Sequence, residues 1–232
     1  MRLRVRFTKL GKVRFLSHRD LARIWERALR RAELPVAYSQ GFSPRPKLHF
    51  GLALSTGHES LGEYLDVDLD PTAALAVEGL GDLTARLSAA LPDGIECTAV
   101  AVLDRPGPSL QEAVTRCTWA IELEGPTDRA EEVVAALLAA PSIMVSRDRK
   151  GRVTEDDIRP GILSMTVTEL SGTVVCLRAD LGTQPRTLRP SELVAALGSP
   201  WSERRVCRLH QWVEDDGVPR EPLAPVVAVG AP

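Results

Sequence analysis

Apolar and polar residues alternate strictly over residues 2–7. Leu3, Val5 and Phe7 point to one side of this segment, and three arginines point to the other. Alternation with a period of two is typical of a β-strand that buries one face. The pattern therefore predicts a strand with a row of arginines on the second face of its sheet.

A helical pattern follows this strand. Ser17 and Asp20 form a Ser-x-x-Asp pair, which is a common helix start. Behind it, apolar residues recur three or four positions apart: Leu21, Ile24, Trp25, Ala28, Leu29 and Ala32. This spacing predicts an amphipathic helix with one buried stripe, and Pro35 marks its end.

The remaining patterns give the first half of the chain the order strand, helix, strand, strand, helix, strand, and the second half repeats this order with a further short strand. In the first half the later elements are strands at 47–54 and 62–69, a helix from Pro71 to about residue 90, and a strand at 95–102. In the second half they are strands at 115–123, 143–147, 162–170, 173–181 and 204–214, and helices at 127–140 and 190–197. We expect an α+β protein of two consecutive ferredoxin-like (βαββαβ) lobes with mostly antiparallel sheets.

Proline and glycine mark the boundaries between these lobes. The first lobe is predicted at residues 1–104 and the second at 110–214. Arg105–Ser109 contains two prolines and a glycine and has the composition of a linker. Residues 215–232 contain four prolines, and we expect a disordered tail there.

Composition narrows the class of protein. With 44% hydrophobic and 26% charged residues, the chain has a globular composition. Its longest apolar run, Val133–Ala140, is far shorter than the roughly 20 residues of a membrane span. None of the four cysteines lies in a Cys-x-x-Cys pair, which excludes a local zinc-ribbon, thiol-redox or iron–sulfur signature. We therefore expect a cytoplasmic protein without a membrane partner, its cysteines reduced.

The net charge of −2 conceals a strong segregation of charge. Residues 1–50 contain 13 Lys plus Arg against 3 Asp plus Glu, whereas the remaining 182 residues contain 16 basic and 28 acidic side chains. This asymmetry favours an anionic partner for the basic segment. The alternative is that the basic segment pairs with the acidic remainder of the same molecule.

The predicted helix carries the densest basic group, on the side away from its apolar stripe. Its members are Arg19, Arg23, Arg27, Arg30 and Arg31. Like charges three or four residues apart repel one another on a helix, so this group needs counter-charges. Phosphates of a nucleic acid would provide them, and so would an acidic domain or protein partner.

The arginine row of the first strand has a different expected partner. The row consists of Arg2, Arg4 and Arg6. In a ferredoxin-like sheet the first and third strands are antiparallel neighbours, which places the row beside Tyr64, Asp66 and Asp68. Cross-strand Arg–Asp pairs are expected to neutralise it.

A loop at residues 38–47 combines aromatic and basic residues. Tyr38 and Phe42 offer faces for stacking, while Arg45 and Lys47 offer charge. This combination suits a single-stranded nucleic acid. A rigid crossover loop with its aromatic side chains in the core is the equal alternative.

Motifs for catalysis are sparse. His18, at the start of the basic helix, could act as the general base of metal-independent RNA cleavage, with Lys47 or Arg19 in support. A surface histidine is the alternative. The three alternate aspartates of residues 66–70 could hold a divalent cation, but such carboxylates are common on strands, and we expect no metal and no other cofactor. Common nucleotide-binding and hydrolase motifs do not occur.

Four segments together resemble the bacterial radical-SAM-linked protein family. They are Phe15–Asp20, Tyr38–Pro46, Asp157–Pro160 and Arg189–Pro190. The resemblance covers roughly residues 1–212. It implies a protein that is fused behind a radical SAM enzyme or encoded beside one, often near ribonuclease and ribosomal-protein genes. This chain resembles the stand-alone form without cluster-binding cysteines, so a separate enzyme would supply any chemistry.

Together these features predict a non-enzymatic accessory module that binds RNA or a ribosomal component and assists a radical SAM or RNA-processing partner. The expected contact residues are Arg19, Arg23, Arg27, Arg30, Arg45 and Lys47, with Phe42 as a stacking group. One alternative is a metal-independent endoribonuclease resembling the CRISPR repeat-processing enzymes, with His18 as its base. The other is a protein-only adaptor that docks on a radical SAM enzyme.

Overall fold

A computed structural model describes residues 1–70, 80–103, 107–149 and 152–223. The protein is mixed α+β, and its sheet is mostly antiparallel. It divides into two compact units: Met1–Ala113 together with the chain from Asp215 forms unit 1, and Val114–Glu214 forms unit 2. No helix of the described ranges is long and apolar enough to span a membrane.

The elements follow one another along the chain with short connections. Up to residue 113 they are β1 (Arg2–Lys9), α1 (His18–Arg31), β2 (Leu48–Phe50), β3 (Glu59–Asp68), α2 (Leu80–Ala90), β4 (Cys97–Leu103) and α3 (Leu110–Ala113). From residue 114 they are β5 (Val114–Glu124), α4 (Ala130–Ala139), β6 (Met144–Arg149), β7 (Arg152–Asp157), β8 (Ile162–Ser171), β9 (Val174–Gly182), α5 (Pro190–Leu197), β10 (Ser202–Asp215) and β11 (Val218–Arg220).

Helix α1 forms as its sequence predicts. The Ser17 hydroxyl accepts a hydrogen bond from the Asp20 amide and so caps the first turn. Leu21, Trp25 and Leu29 are buried on the apolar side. The helix ends before Glu33, whose positive φ of 52° takes the chain out of the helical path.

Unit 1 is built on an antiparallel sheet in the order β4-β1-β3-β2. On one face of β1, Leu3, Val5 and Phe7 are fully buried, and they join a core cluster that includes residues of α1 and α2. Trp25 of α1 meets Phe7 edge to face, with 4.9 Å between ring centroids. The alternation in β1 and the stripe of α1 thus face the same core.

Three predictions for unit 1 differ from the structure or lie outside it. The strand predicted at 47–54 is confined to Leu48–Phe50, since the Gly51 amide bonds to Tyr64 and the chain then turns toward β3. The first part of the predicted second helix, at 71–79, lies outside the described residues. So do Arg105 and Pro106 of the predicted linker. Ser109 belongs to a capping box, in which its hydroxyl accepts from the Glu112 amide and its amide donates to the Glu112 carboxylate.

The expectation of a disordered tail is wrong for residues 215–223. A turn with positive φ at Asp216 and Gly217 leads into β11. Beyond it, Glu221 accepts a hydrogen bond from Arg6, and the Leu223 carbonyl accepts one from the Tyr64 hydroxyl. Prolines suggested disorder, but a short edge strand tolerates proline. Residues 224–232 lie outside the described part of the chain.

The main strands of unit 2 pair antiparallel in the order β10-β5-β9-β8. Its buried apolar side chains include Ile121, Val175 and Leu177. Strands β8 and β9 form a hairpin that turns at Gly172, with a positive φ of 59°. The strand predicted at 143–147 becomes β6, which pairs with β7 as a separate two-stranded sheet. Strand β7 was not predicted from the sequence, because its charged residues are typical of a loop.

Candidate nucleic-acid interface

The basic face of α1 is open to solvent. Its five arginines are Arg19, Arg23, Arg27, Arg30 and Arg31, and every one is exposed. Within the described chain, the only ion pair of this group joins Arg23 to Asp20 over 3.7 Å. Both partners of that pair are about half exposed, so it is weak. The helix therefore presents several cations without a carboxylate partner in the described residues.

The arginines of β1 contrast with those of α1. The predicted cross-strand register is confirmed: Arg2 is opposite Asp68, and Arg4 is opposite Asp66. Arg4 donates two hydrogen bonds, of 2.8 and 2.9 Å, to the carboxylate of Asp66, and Arg2 donates one of 2.8 Å to Asp68. This row is neutralised within unit 1 and is not free to bind phosphate.

Asp68 shows how strong this pairing is. Desolvation by burial acts to raise the pKa of its carboxyl group. Hydrogen bonds from Arg2 and His49 to the charged form outweigh that effect, so the pKa lies below the ordinary value of 3.8. The carboxylate is thus held in its ionised form by its neighbours.

The loop at residues 38–47 does not place its aromatic side chains in the core. Tyr38 pairs with Pro46 as an isolated β-bridge, and the Ser39 hydroxyl accepts a hydrogen bond from the Arg45 amide. These contacts close the loop and leave its tip outside. Phe42, at the tip, is fully exposed, and Tyr38 is 45% exposed. The alternative of a loop that fills the core is therefore wrong.

Arg45 and Lys47 are exposed like Phe42 and have no ion-pair partner among the described residues. Arg45 follows Pro44 and precedes Pro46, and each proline restricts the backbone beside it. The loop thus holds one aromatic face and two cations at the surface. Of the two arrangements that the composition left open, this is the exposed one.

His18 lies at the first turn of α1 and is exposed. Its ring meets the Phe50 ring edge to face at 4.9 Å. No hydrogen bond within the described residues joins it to Lys47 or Arg19, the groups proposed to support catalysis. The structure therefore places His18 at the surface without assembling a general-base constellation around it.

The alternate aspartates of residues 66–70 are engaged elsewhere. The Asp66 and Asp68 carboxylates accept hydrogen bonds from arginines, and the amide of Asp70 donates to the Pro35 carbonyl. The described residues contain no group of three or more His, Cys, Asp or Glu side chains arranged to hold a metal ion.

A groove of about 560 Å³ beside the start of α1 was missed by the sequence analysis. It is lined by Arg2, His18, Leu48, His49, Phe50, Asp66, Gly107, Ser109, Leu110 and Gln111. The signal for it is weak in the sequence, because the pairing of β2 with β3 and the position of α3 bring together residues far apart in the chain.

A second missed feature is the buried amine of Lys9. Its side chain lies beneath the surface and donates to the Arg14 and Leu16 carbonyls over 3.2 and 3.3 Å. Desolvation lowers its pKa, and the nearby Glu63 carboxylate opposes that shift. The alternating pattern was found over residues 2–7 and gave no prediction for Lys9.

Comparison with known proteins places these features in a family. Residues 2–190 match the sequence profile described as "Uncharacterized protein conserved in bacteria (DUF2344)". The chain belongs to the DUF2344 family. The match spans the basic face of α1, the loop at residues 38–47 and the groove. No curated protein matches the sequence.

Solved structures with a similar fold cover most of this DUF2344 chain at low identity. A chain in a crystal structure of a Cbf5-Nop10-Gar1 complex shares 10% identity and a TM-score of 0.50 over 90% of this chain and 48% of its own length. A chain of an archaeal box H/ACA sRNP Nop10-Cbf5 complex shares 10% identity over 89% of this chain and 46% of its own, with a TM-score of 0.46.

A third similar chain comes from a structure of an H/ACA RNP bound to a substrate RNA containing 2'-deoxyuridine. It shares 13% identity over 90% of this chain and 47% of its own length, with a TM-score of 0.44. The DUF2344 chain thus spans about half the length of the chains it matches. The similarity to the Cbf5-Nop10-Gar1 structure concerns the fold alone.

Proposed function

We propose that this DUF2344 protein is a non-enzymatic accessory module that binds RNA through the basic face of α1 and the loop at residues 38–47. The arginines hold backbone phosphates, and Phe42 stacks on an unpaired base. A radical SAM or RNA-processing enzyme, supplied separately, would act on the bound RNA or ribosomal component. The proposal does not rest on the similarity to chains of H/ACA RNP structures.

The fold part of the proposal is that both units are ferredoxin-like lobes. Unit 1 has the order β4-β1-β3-β2, and unit 2 has the corresponding order β10-β5-β9-β8. In unit 1 the last strand, β4, lies beside the first, β1, and the third, β3, lies beside the second, β2. In unit 2 the last strand, β10, lies beside the first, β5, and β9 lies beside β8 in the same way. Helices follow the first and third strands of each set. The ferredoxin-like proposal thus rests on the order of the strands. The two halves of the sequence resemble each other only in the order of their elements.

The observation that carries the function is the contrast between the two sets of arginines in unit 1. Arg2 and Arg4 have carboxylate partners, whereas Arg27 and Arg30 have none among the described residues and are exposed. Like charges at this spacing are unfavourable unless an anion is supplied. Arg also matches phosphate geometry with two parallel donors. An external polyanion would supply the counter-charges that this face of α1 needs.

The chemistry of the face favours RNA over a protein surface. Protein interfaces have an apolar centre with charges at the rim. The exposed positions of α1 are instead arginines, and its large apolar side chains Leu21, Trp25 and Leu29 are buried in unit 1. The exposed apolar side chains of unit 1 include Phe42, in the loop that also carries the exposed Arg45 and Lys47. That pattern is typical of single-stranded nucleic-acid contacts.

The test is binding of a fluorescently labelled single-stranded RNA of mixed sequence across a salt series. The variant Arg23→Gln/Arg27→Gln removes two cations from α1. The matched control, Arg129→Gln/Arg204→Gln, removes two exposed cations from unit 2 and changes the net charge equally. Because each phosphate contact contributes roughly 0.7 to the slope of log affinity against log salt, the α1 variant should lose about 1.4 from that slope.

The control variant should keep the slope of the unmodified protein. Equal slopes for all three proteins would show that α1 does not bind the RNA. Absence of binding even at low salt would overturn the proposal entirely. The arginine face would then be assigned to an acidic protein surface.

A further inference from the structure

The groove beside α1 has the size and position of a ligand site. Its volume of about 560 Å³ falls within the usual range of small-molecule pockets, roughly 300–1,000 Å³. All its lining residues belong to unit 1. His18, which lines it, is followed directly in the chain by Arg19 of the basic face. The groove therefore lies beside the first turn of α1, at the N-terminal end of its basic face.

The charges inside the groove neutralise one another. Asp66 accepts hydrogen bonds from Arg4, and a terminal nitrogen of Arg2 lies 3.9 Å from its second oxygen. Asp68 accepts from Arg2 and lies 3.1 Å from Nε2 of His49. Among the described lining residues, no surplus of either charge remains to bind a phosphate or an ammonium group. An uncharged ligand fits this balance.

The remaining lining offers flat and polar surfaces. His18 and Phe50 present two rings at 74° to each other, and a flat molecule can stack on one while it meets the edge of the other. Half of the His49 side chain is exposed, and the Gln111 amide has both donors and an acceptor. Leu110 adds apolar surface. Such a lining matches a planar heterocycle with hydrogen-bonding edges.

We propose that this groove binds one nucleobase of the RNA, unstacked from its neighbours and inserted beside His18. The inference rests on the proposed RNA-binding function and names the part of the RNA that the site recognises. Single-stranded bases are commonly read in this way, by stacking on aromatic or histidine rings and by hydrogen bonds to the base edge. The phosphates of the same nucleotide remain outside, toward Arg19.

The experiment uses the four ribonucleosides as probes, because they carry a base and ribose without phosphate and do not depend on the arginine face. Each is titrated into the full chain while the imidazole resonances of His18 and His49 are followed by NMR. At least one nucleoside should give saturable shifts of both, with a dissociation constant of about 1 mM or tighter.

Two variants test the location. Gln111→Trp places a bulky ring in the groove from an exposed helix position, and it should abolish the saturable shifts of His49. His18→Ala removes an exposed stacking ring and should weaken nucleoside binding at least fivefold. Arg23→Gln/Arg27→Gln should leave nucleoside affinity unchanged while it lowers the salt slope of RNA binding.

The outcomes separate the two proposals. RNA binding with the expected slope but no saturable nucleoside binding would overturn the groove inference and leave the RNA proposal intact. Nucleoside affinity unchanged in Gln111→Trp would also overturn it, since the ligand would then lie elsewhere. Nucleoside binding that depends on His18, without any RNA binding, would support the groove and refute the function of α1.

Discussion

At the scale of single residues, the identity of a side chain does not determine its role in this protein. Arg4 and Arg27 are both basic residues of unit 1. Arg4 lies against the buried carboxylate of Asp66, whereas Arg27 is exposed on α1 without a partner in the described chain. The sequence predicted the pairing of Arg4, because strand register places it opposite Asp66. It left open whether Arg27, on the polar side of α1, pairs within the molecule or with an external anion.

Asp68→Asn should reduce stability at neutral pH and have little effect in acid. The folded-state pKa of Asp68 lies below its ordinary value of 3.8, so its charge stabilises the fold above about pH 4. That contribution is lost as the pH falls through the folded-state pKa. Urea unfolding at pH 7 and at pH 3 measures the difference between the variant and the unmodified protein.

Asp93→Asn serves as the control for this prediction. Asp93 is exposed and has no ion pair within the described residues. Its substitution should change the free energy of unfolding little at either pH. A loss in Asp68→Asn that is equally large at both pH values would refute the role of its charge.

At the scale of elements, the Ser17 cap fixes where α1 and its basic face begin. Ser17→Ala removes the acceptor of the Asp20 amide and should lower the free energy of unfolding by about 1 kcal/mol. Ser17→Thr keeps a capping hydroxyl and should retain most of the stability. Thermal unfolding followed by circular dichroism measures both. Equal losses in the two variants would show that the cap does not stabilise the helix.

Elements with a strong local period were predicted well. The stripe from Leu21 to Leu29 and the alternation of β1 need no distant information, because each pattern specifies its own buried face. The separate hairpin of β6 and β7 was not predicted, since its pairing is decided by contacts that neither strand encodes alone. The candidate site shows the same contrast between a part that local sequence patterns predict and a part that they do not.

The basic face of α1 follows from helical spacing, and its exposure was predictable. The groove was not. It depends on β2 lying beside β3 and on Gln111 lying near His18, two positions far apart in the chain. A short strand such as β2 has little periodic signal of its own, so no local sequence pattern predicted the groove.

At the scale of the whole molecule, the segment after Asp215 completes unit 1. Glu221 contacts Arg6, and both side chains are largely buried. Glu221→Gln should lower the free energy of unfolding by about 1–3 kcal/mol, because a buried guanidinium would lose a charged acceptor. Urea unfolding measures this change.

Arg220→Gln provides the control from the same segment. It breaks the exposed pair between Arg220 and Asp215 and should cost less than about 1 kcal/mol. If Glu221→Gln were no more destabilising than this control, the segment after Asp215 would not contribute to the stability of unit 1.

The return of the chain to unit 1 also sets an order of assembly during synthesis. Unit 2 is one uninterrupted stretch, and its first and last strands pair, with Val114 opposite Val213. Unit 1 is split into an early and a late piece. Because the ribosome delivers residues from the N-terminus onward, strands β1 to β4 of unit 1 emerge first, and the contacts of Glu221 and Leu223 with unit 1 form only after unit 2 has emerged. The arginines of α1 are thus present on the nascent chain before their own unit is complete.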